Sequence, residues 1–83
     1  MRHVTRLTYS MELMATDKRD VQSLEYLNFG EIAPVVPQVG RRVGAKDTLM
    51  EVLFVSHHFS SIDRPDHIHQ HVTVQGRVVD TEG

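Results

Sequence analysis

Residues 48–59 read Thr48-Leu49-Met50-Glu51-Val52-Leu53-Phe54-Val55-Ser56-His57-His58-Phe59. This is the strongest strand signal in the chain, and it decides the fold class. Counted at a period of two, Met50, Val52 and Phe54 fall on one face. Leu49, Leu53, Val55 and Phe59 fall on the other, interrupted by Glu51 and His57. Apolar residues on both faces predict a central or curled strand, as in a small barrel or an oligomeric sheet.

Outward from it, residues 60–66 are a loop by composition. His67 to Val79 alternates again, with Ile68, Val72, Val74 and Val78 inward. His67, His69, His71, Thr73, Gln75 and Arg77 face outward, and Gly76 marks a bulge or bend. These two long strands predict a hairpin. On the N-terminal side, Ala45-Lys46-Asp47 reads as a turn and Arg41-Arg42-Val43 as a short strand. Pro34 and Pro37 bracket Val35-Val36, so Ile32 to Val36 is a candidate edge strand. Residues 3–14 alternate, with Leu7, Tyr9, Met11 and Leu13 on one side, which predicts a half-buried strand. Between these, Val21, Leu24 and Asn28 share a helical face after the capping residues Thr16 and Asp17, and Gly30 follows. That spacing predicts a helix over 18–28, with a looped or extended segment as the second reading because Tyr26 and Phe29 do not fit a single stripe. The expected fold is therefore α+β and β-rich. It is a small antiparallel sheet or partly open barrel of four to five strands, with one short helix near 18–28, in a single domain over 1–83.

Composition narrows the function. The chain has 83 residues, with 9 basic against 11 acidic, six His and no Cys. Without Cys there is no disulfide, thiolate nucleophile or zinc knuckle. A net charge of −2 argues against general nucleic-acid binding. No run approaches the ~20 apolar residues of a membrane helix, so a cytoplasmic chain is expected. A core this small usually needs a metal or a second subunit to hold it.

One wider pattern combines Pro37-Gln38-Val39-Gly40-Arg41-Arg42-Val43, then a turn, then Glu51 to Phe59, then a valine-rich strand. Over residues 37–79 this resembles small β-barrel proteins of phages and prophages. The resemblance implies a mobile-element origin and a non-catalytic binding role, and it carries over no catalytic residue.

Five His lie between residues 57 and 71. His67, His69 and His71 share a strand face at ~6–7 Å spacing, and the short loop lets His57 or His58 lie across the hairpin from them. Pairing of His57 with His69 is the preferred register because it keeps the inward side apolar. His57, His67, His69 and His71 are thus candidate ligands for a divalent transition metal, with Asp63 or Asp66 as oxygen donors. The simpler account is a polar face or interface edge rich in His, with no cofactor. Protonation of all six His would move the net charge from −2 to +4, so pH sensitivity is a chemical consequence either way.

Other motifs resolve to plain structure. Ser56, His57 and Asp63 make a triad only on paper, since a triad is defined by geometry. Gly40-x-x-x-Gly44 lacks the Gly-Lys-Ser/Thr ending of a phosphate loop, and turn chemistry explains it. Arg41, Arg42 and Lys46, with Arg2 and Arg6, form a small basic spot suited to phosphate or an acidic partner, or a solvated face. Tyr26, Phe29, Ile32, Val35 and Val36 exceed what so small a core can shelter, which marks an interface. A protein partner and a homo-oligomer, most simply a dimer, are expected. The leading expectation is a non-catalytic binding protein, such as a phage-encoded inhibitor of a bacterial defence or host factor. The alternatives are a His-cluster metal protein and a structural phage-particle component.

Overall fold

A computed structural model describes residues 6–17, 20–61 and 63–79. Five strands form one curled, nearly closed barrel-like sheet: β1 (Arg6–Asp17), β2 (Asp20–Gly30), β3 (Arg42–Ala45), β4 (Thr48–Ser61) and β5 (His67–Val78). The spatial order is β2-β1-β5-β4-β3. β1 and β5 are parallel, while every other neighbouring pair is antiparallel. The sheet is thus mixed rather than antiparallel, because the first and last strands lie side by side at its centre.

The helix expected over 18–28 is absent. Lys18 and Arg19 lie outside the described residues, and Asp20–Gly30 is a strand. Two bulges explain the difference. Leu24 is an extra residue between the pairs Leu13↔Glu25 and Met14↔Ser23, and Phe29 is another between Tyr9↔Gly30 and Ser10↔Asn28. Each insertion shifts the alternation by one, so the apolar residues recur at helix-like intervals while the backbone stays extended. Leu24 is buried, and Phe29 packs against the core.

Ile32 to Val36 is not a strand either. Pro34 and Pro37 have no N–H to give a ladder. Residues 31–41 instead form an arm that runs from β2, at one edge of the sheet, to β3, at the other. Val36 turns inward from this arm onto the core. The core itself is Met11, Leu13, Ala15, Leu24, Met50, Val52, Val72 and Val74.

A third bulge sets the faces of β4. Val52 pairs with Gly76 but Phe54 pairs with Gln75, leaving Leu53 extra. The bend expected at Gly76 is thus taken up by the opposite strand. Beyond the bulge Val55 packs toward the core and Phe54 turns out to solvent, correcting the expected Met50-Val52-Phe54 face.

The β3–β4 connection is a two-residue turn, as expected from Ala45-Lys46-Asp47. Lys46 (φ 48°) and Asp47 (φ 61°) both lie in the left-handed region, as a type I′ hairpin requires. Lys46 does not suit that conformation, and Asp47 tolerates it at a position where Gly is favoured. Replacing the pair by Asn-Gly is expected to stabilise the protein by about 1 kcal/mol, read as an increase in the urea midpoint.

Candidate functional site

The parallel pairing of β1 and β5 builds the site. Thr8 lies beside His69 and Ser10 beside His71, with Arg6 beside His67. Paired residues project to the same face, so the three rings of β5 and the two hydroxyls of β1 interleave. Thr8 and Ser10 are both buried, and among the described residues no buried side-chain polar atom lacks a partner.

The bonds are continuous. Asp63 Oδ1 is 2.6 Å from His67 Nδ1. Thr8 Oγ1 lies 3.0 Å from His67 Nε2 and 2.7 Å from His69 Nδ1. Ser10 Oγ lies 2.7 Å from both His69 Nε2 and His71 Nδ1. Tyr26 stacks on the last ring, with centroids 5.7 Å apart and planes 21° from parallel.

A carboxylate can only accept, so with the rings neutral it fixes the direction of the whole chain. His67 donates from Nδ1 to Asp63. The Thr8 hydroxyl then donates to His67 Nε2 and accepts from His69 Nδ1. The Ser10 hydroxyl donates to His69 Nε2 and accepts from His71 Nδ1. Every ring carries its proton on Nδ1, and His71 Nε2 is left as a lone pair at the far end. Such a chain can pass a proton from end to end. A proton taken up at His71 Nε2 shifts each bridging proton by one bond and ends on Asp63, with all three tautomers inverted.

The hydrogen bond from His67 holds the Asp63 carboxyl below its ordinary value of 3.8, helped by its own backbone N–H. A carboxyl depressed in the folded state adds stability above its unfolded pKa, and that stability is lost as pH falls through the folded value. Asp63→Asn is therefore expected to flatten the acid limb of a stability-against-pH curve and leave the neutral region nearly level. Chemical denaturation across a pH series reads this directly.

The ladder is not the site expected from the His spacing. His57 pairs with Val72, and His58 with His71. The Leu53 bulge puts His57 on the core face, where Gln70 Nε2 donates to its Nδ1 at 2.7 Å. Ser60, not His57, lies opposite His69, and the ring that crosses the hairpin is His58, opposite His71. The nitrogens of His67 and His69 are engaged with hydroxyls and Asp63 rather than converging on a shared point. Among the described residues, no three His, Asp or Glu side chains are placed to hold one ion. Asp66, the other expected oxygen donor, pairs with Arg64 at 3.0 Å.

The paper triad is likewise dispersed. Ser56 and His57 point to opposite faces of β4, and Asp63 bonds to His67. Asp63, His67 and Thr8 do have triad connectivity, which the sequence does not reveal because Thr8 is 59 residues from His67. The Thr8 hydroxyl is nevertheless buried and already accepts from His69, so it has no open approach to a carbonyl carbon.

At the Asp63 end the ladder opens into a cleft lined by Arg6, Glu31, Asp63, Arg64, Asp66 and His67. Its walls pair among themselves, Arg6 with Glu31 at 3.1 Å and Arg64 with Asp66 at 3.0 Å. Of the expected interaction residues, Tyr26, Ile32, Val35, Arg41 and Arg42 are exposed. Phe29 and Val36 are instead partly buried against the core. Arg2 lies outside the described residues. No helix among the described residues is long and apolar enough to cross a membrane. No family model matches the chain, and no curated protein or solved structure matches it.

Proposed function

We propose that the chain is a small non-catalytic binding protein and that the arm over 31–41 is its docking surface for a protein partner. The observation that carries this reading is the exposure of three large apolar side chains on one arm: Val35 at 95%, Ile32 at 74% and Val39 at 65%. Leaving such groups in water costs free energy that a partner would recover. Pro34 and Pro37 limit the arm's backbone freedom, which lowers the entropy lost on docking. Arg41 and Arg42 flank it, so the fitting partner has an apolar patch with an acidic rim. In the phage setting that the sequence resemblance implies, that partner is a bacterial defence or host factor, and binding blocks it.

The test compares capture by the native protein with capture by Val35→Asp. Val35 is almost wholly exposed, so the substitution is expected to leave the thermal midpoint within about a degree while removing most of the captured partner. Equal capture by both proteins, or no enrichment by either, refutes the reading.

A further inference from the structure

We infer that two copies of this chain pair through the outer edge of β4, residue against residue, in a continuous sheet centred on His57. This does not depend on the docking arm proposed above.

The inference starts from an unfinished strand. β3 covers β4 only over Thr48–Glu51, and the arm adds one more step: Gly40 N–H donates to the Val52 carbonyl at 2.8 Å, and Val52 N–H to the Arg41 carbonyl at 2.8 Å. From Leu53 to Ser61 the outer edge of β4 has no strand beside it among the described residues. Past the Leu53 bulge, alternation turns the backbone N–H and C=O of Val55, His57, Phe59 and Ser61 toward that open edge.

Open edges are normally blunted by charge, proline, bulges or shortness. The outer edge of β2 follows this rule, with Asp20, Glu25 and two bulges. β3 follows it by being four residues long. Residues 53–61 do not. Leu53-Phe54-Val55-Ser56-His57-His58-Phe59-Ser60-Ser61 contains no Asp, Glu, Lys, Arg or Pro. Phe59 is 61% exposed on this strand.

The occupant follows from symmetry and area. A twofold axis brings like residues together, so a charged strand repels its own copy and a neutral one does not. In the register centred on His57, all nine residues pair, and Val55 lies opposite Phe59 of the partner subunit as an apolar cross-strand pair. The chain is also too open for a lone unit of its mass. Its accessible surface is 6029 Å², against about 5,000 Å² for a compact 9.5 kDa monomer. Its radius of gyration is 14.9 Å, against about 12 Å for a compact chain of this length. The surplus, about 1,000 Å², matches one partner's share of a standard stable interface.

The chain has no Cys, so a single engineered thiol tests the register cleanly. Paired Cα atoms at the axis sit about 5.5 Å apart, within disulfide reach. His57→Cys is expected to oxidise to a covalent dimer much faster than Gln22→Cys, a control on the edge of β2. Light scattering of the native protein is expected to give twice the 9.5 kDa chain mass. Phe59→Lys, at an exposed position that leaves the core intact, is expected to weaken the dimer about a hundredfold, since the change occurs twice per interface. A monomeric native protein overturns the inference. So does cross-linking at position 57 no faster than at position 22, or a dimer that Phe59→Lys leaves unchanged, because the copies then meet elsewhere or the edge takes a strand from another protein.

Discussion

Replacing Gly76 by Ala is expected to destabilise the protein by about 3 kcal/mol or more. A Cβ at this position would lie 2.4 Å from the carbonyl oxygen of Glu51 and 3.0 Å from its carbonyl carbon. Both are backbone atoms, so neither can swing aside. The Sδ of Met50 lies 3.2 Å away on the core side. The close approach is made at the Val52↔Gly76 pair, beside the bulge at Leu53. Room for the added methyl would require the two longest paired strands to separate. A chain of this length holds only about 4–12 kcal/mol in total, so a large share of its stability goes. Gly44→Ala is the control, because a methyl added there would have its nearest neighbour, the Thr48 carbonyl oxygen, 4.0 Å away. Urea unfolding is expected to leave that variant within about 0.5 kcal/mol of the native protein. Equal midpoints for the two variants would refute the crowding argument.

Ser10→Ala is the second large effect. One hydroxyl bridges His69 and His71, and the substitution strands a nitrogen on each ring at a site where Ser10 itself is 1% exposed and Tyr26 stacks on His71. Two lost bonds, each leaving a part-buried polar atom, are expected to cost about 2–3 kcal/mol. The loss also cuts the ladder between Asp63 and His71. Nitrogen NMR is therefore expected to show a mixed tautomer at His71 in the variant and Nδ1–H alone in the native protein. Ser10→Thr keeps the hydroxyl and is expected to restore the single tautomer. If His71 keeps one tautomer in Ser10→Ala, the direction of the chain is set by something other than Asp63.

Where the chain keeps strict alternation, its fold is legible in the sequence. The pattern places β5 and the core half of β1 correctly, and His67, His69 and His71 do share a face. The same hydrophobic pattern also places β4 and the β3–β4 turn. The strand expected over Ile32–Val36 fails at Pro34 and Pro37, and the expected antiparallel sheet fails at the β1–β5 pairing; the remaining failures sit at bulges. Leu24 and Phe29 give β2 a helix-like spacing, and Leu53 moves His57 to the face opposite the other rings. A bulge is one residue of backbone slack, and no side-chain pattern announces it. The ladder is illegible for another reason: Thr8 and Ser10 read as the solvent side of an ordinary alternation. Only the parallel pairing of β1 with β5 makes them bridges, and a local pattern carries no signal for a partner some sixty residues away.

That same pairing governs how the protein folds. Arg6 meets His67, and the register then holds through Thr16 and Arg77, so every rung joins residues 61 apart in the chain. The hairpins β1–β2 and β4–β5 can each form locally in microseconds, but both expose their apolar sides until they meet. Closing a loop of that length comes before any of its contacts repay the lost entropy. The rate of folding is thus set by one non-local docking event, on a timescale of about milliseconds to seconds. Until it happens, the uncharged stretch over 53–61 is an adhesive strand in a half-built chain, and refolding yield is expected to fall as protein concentration rises.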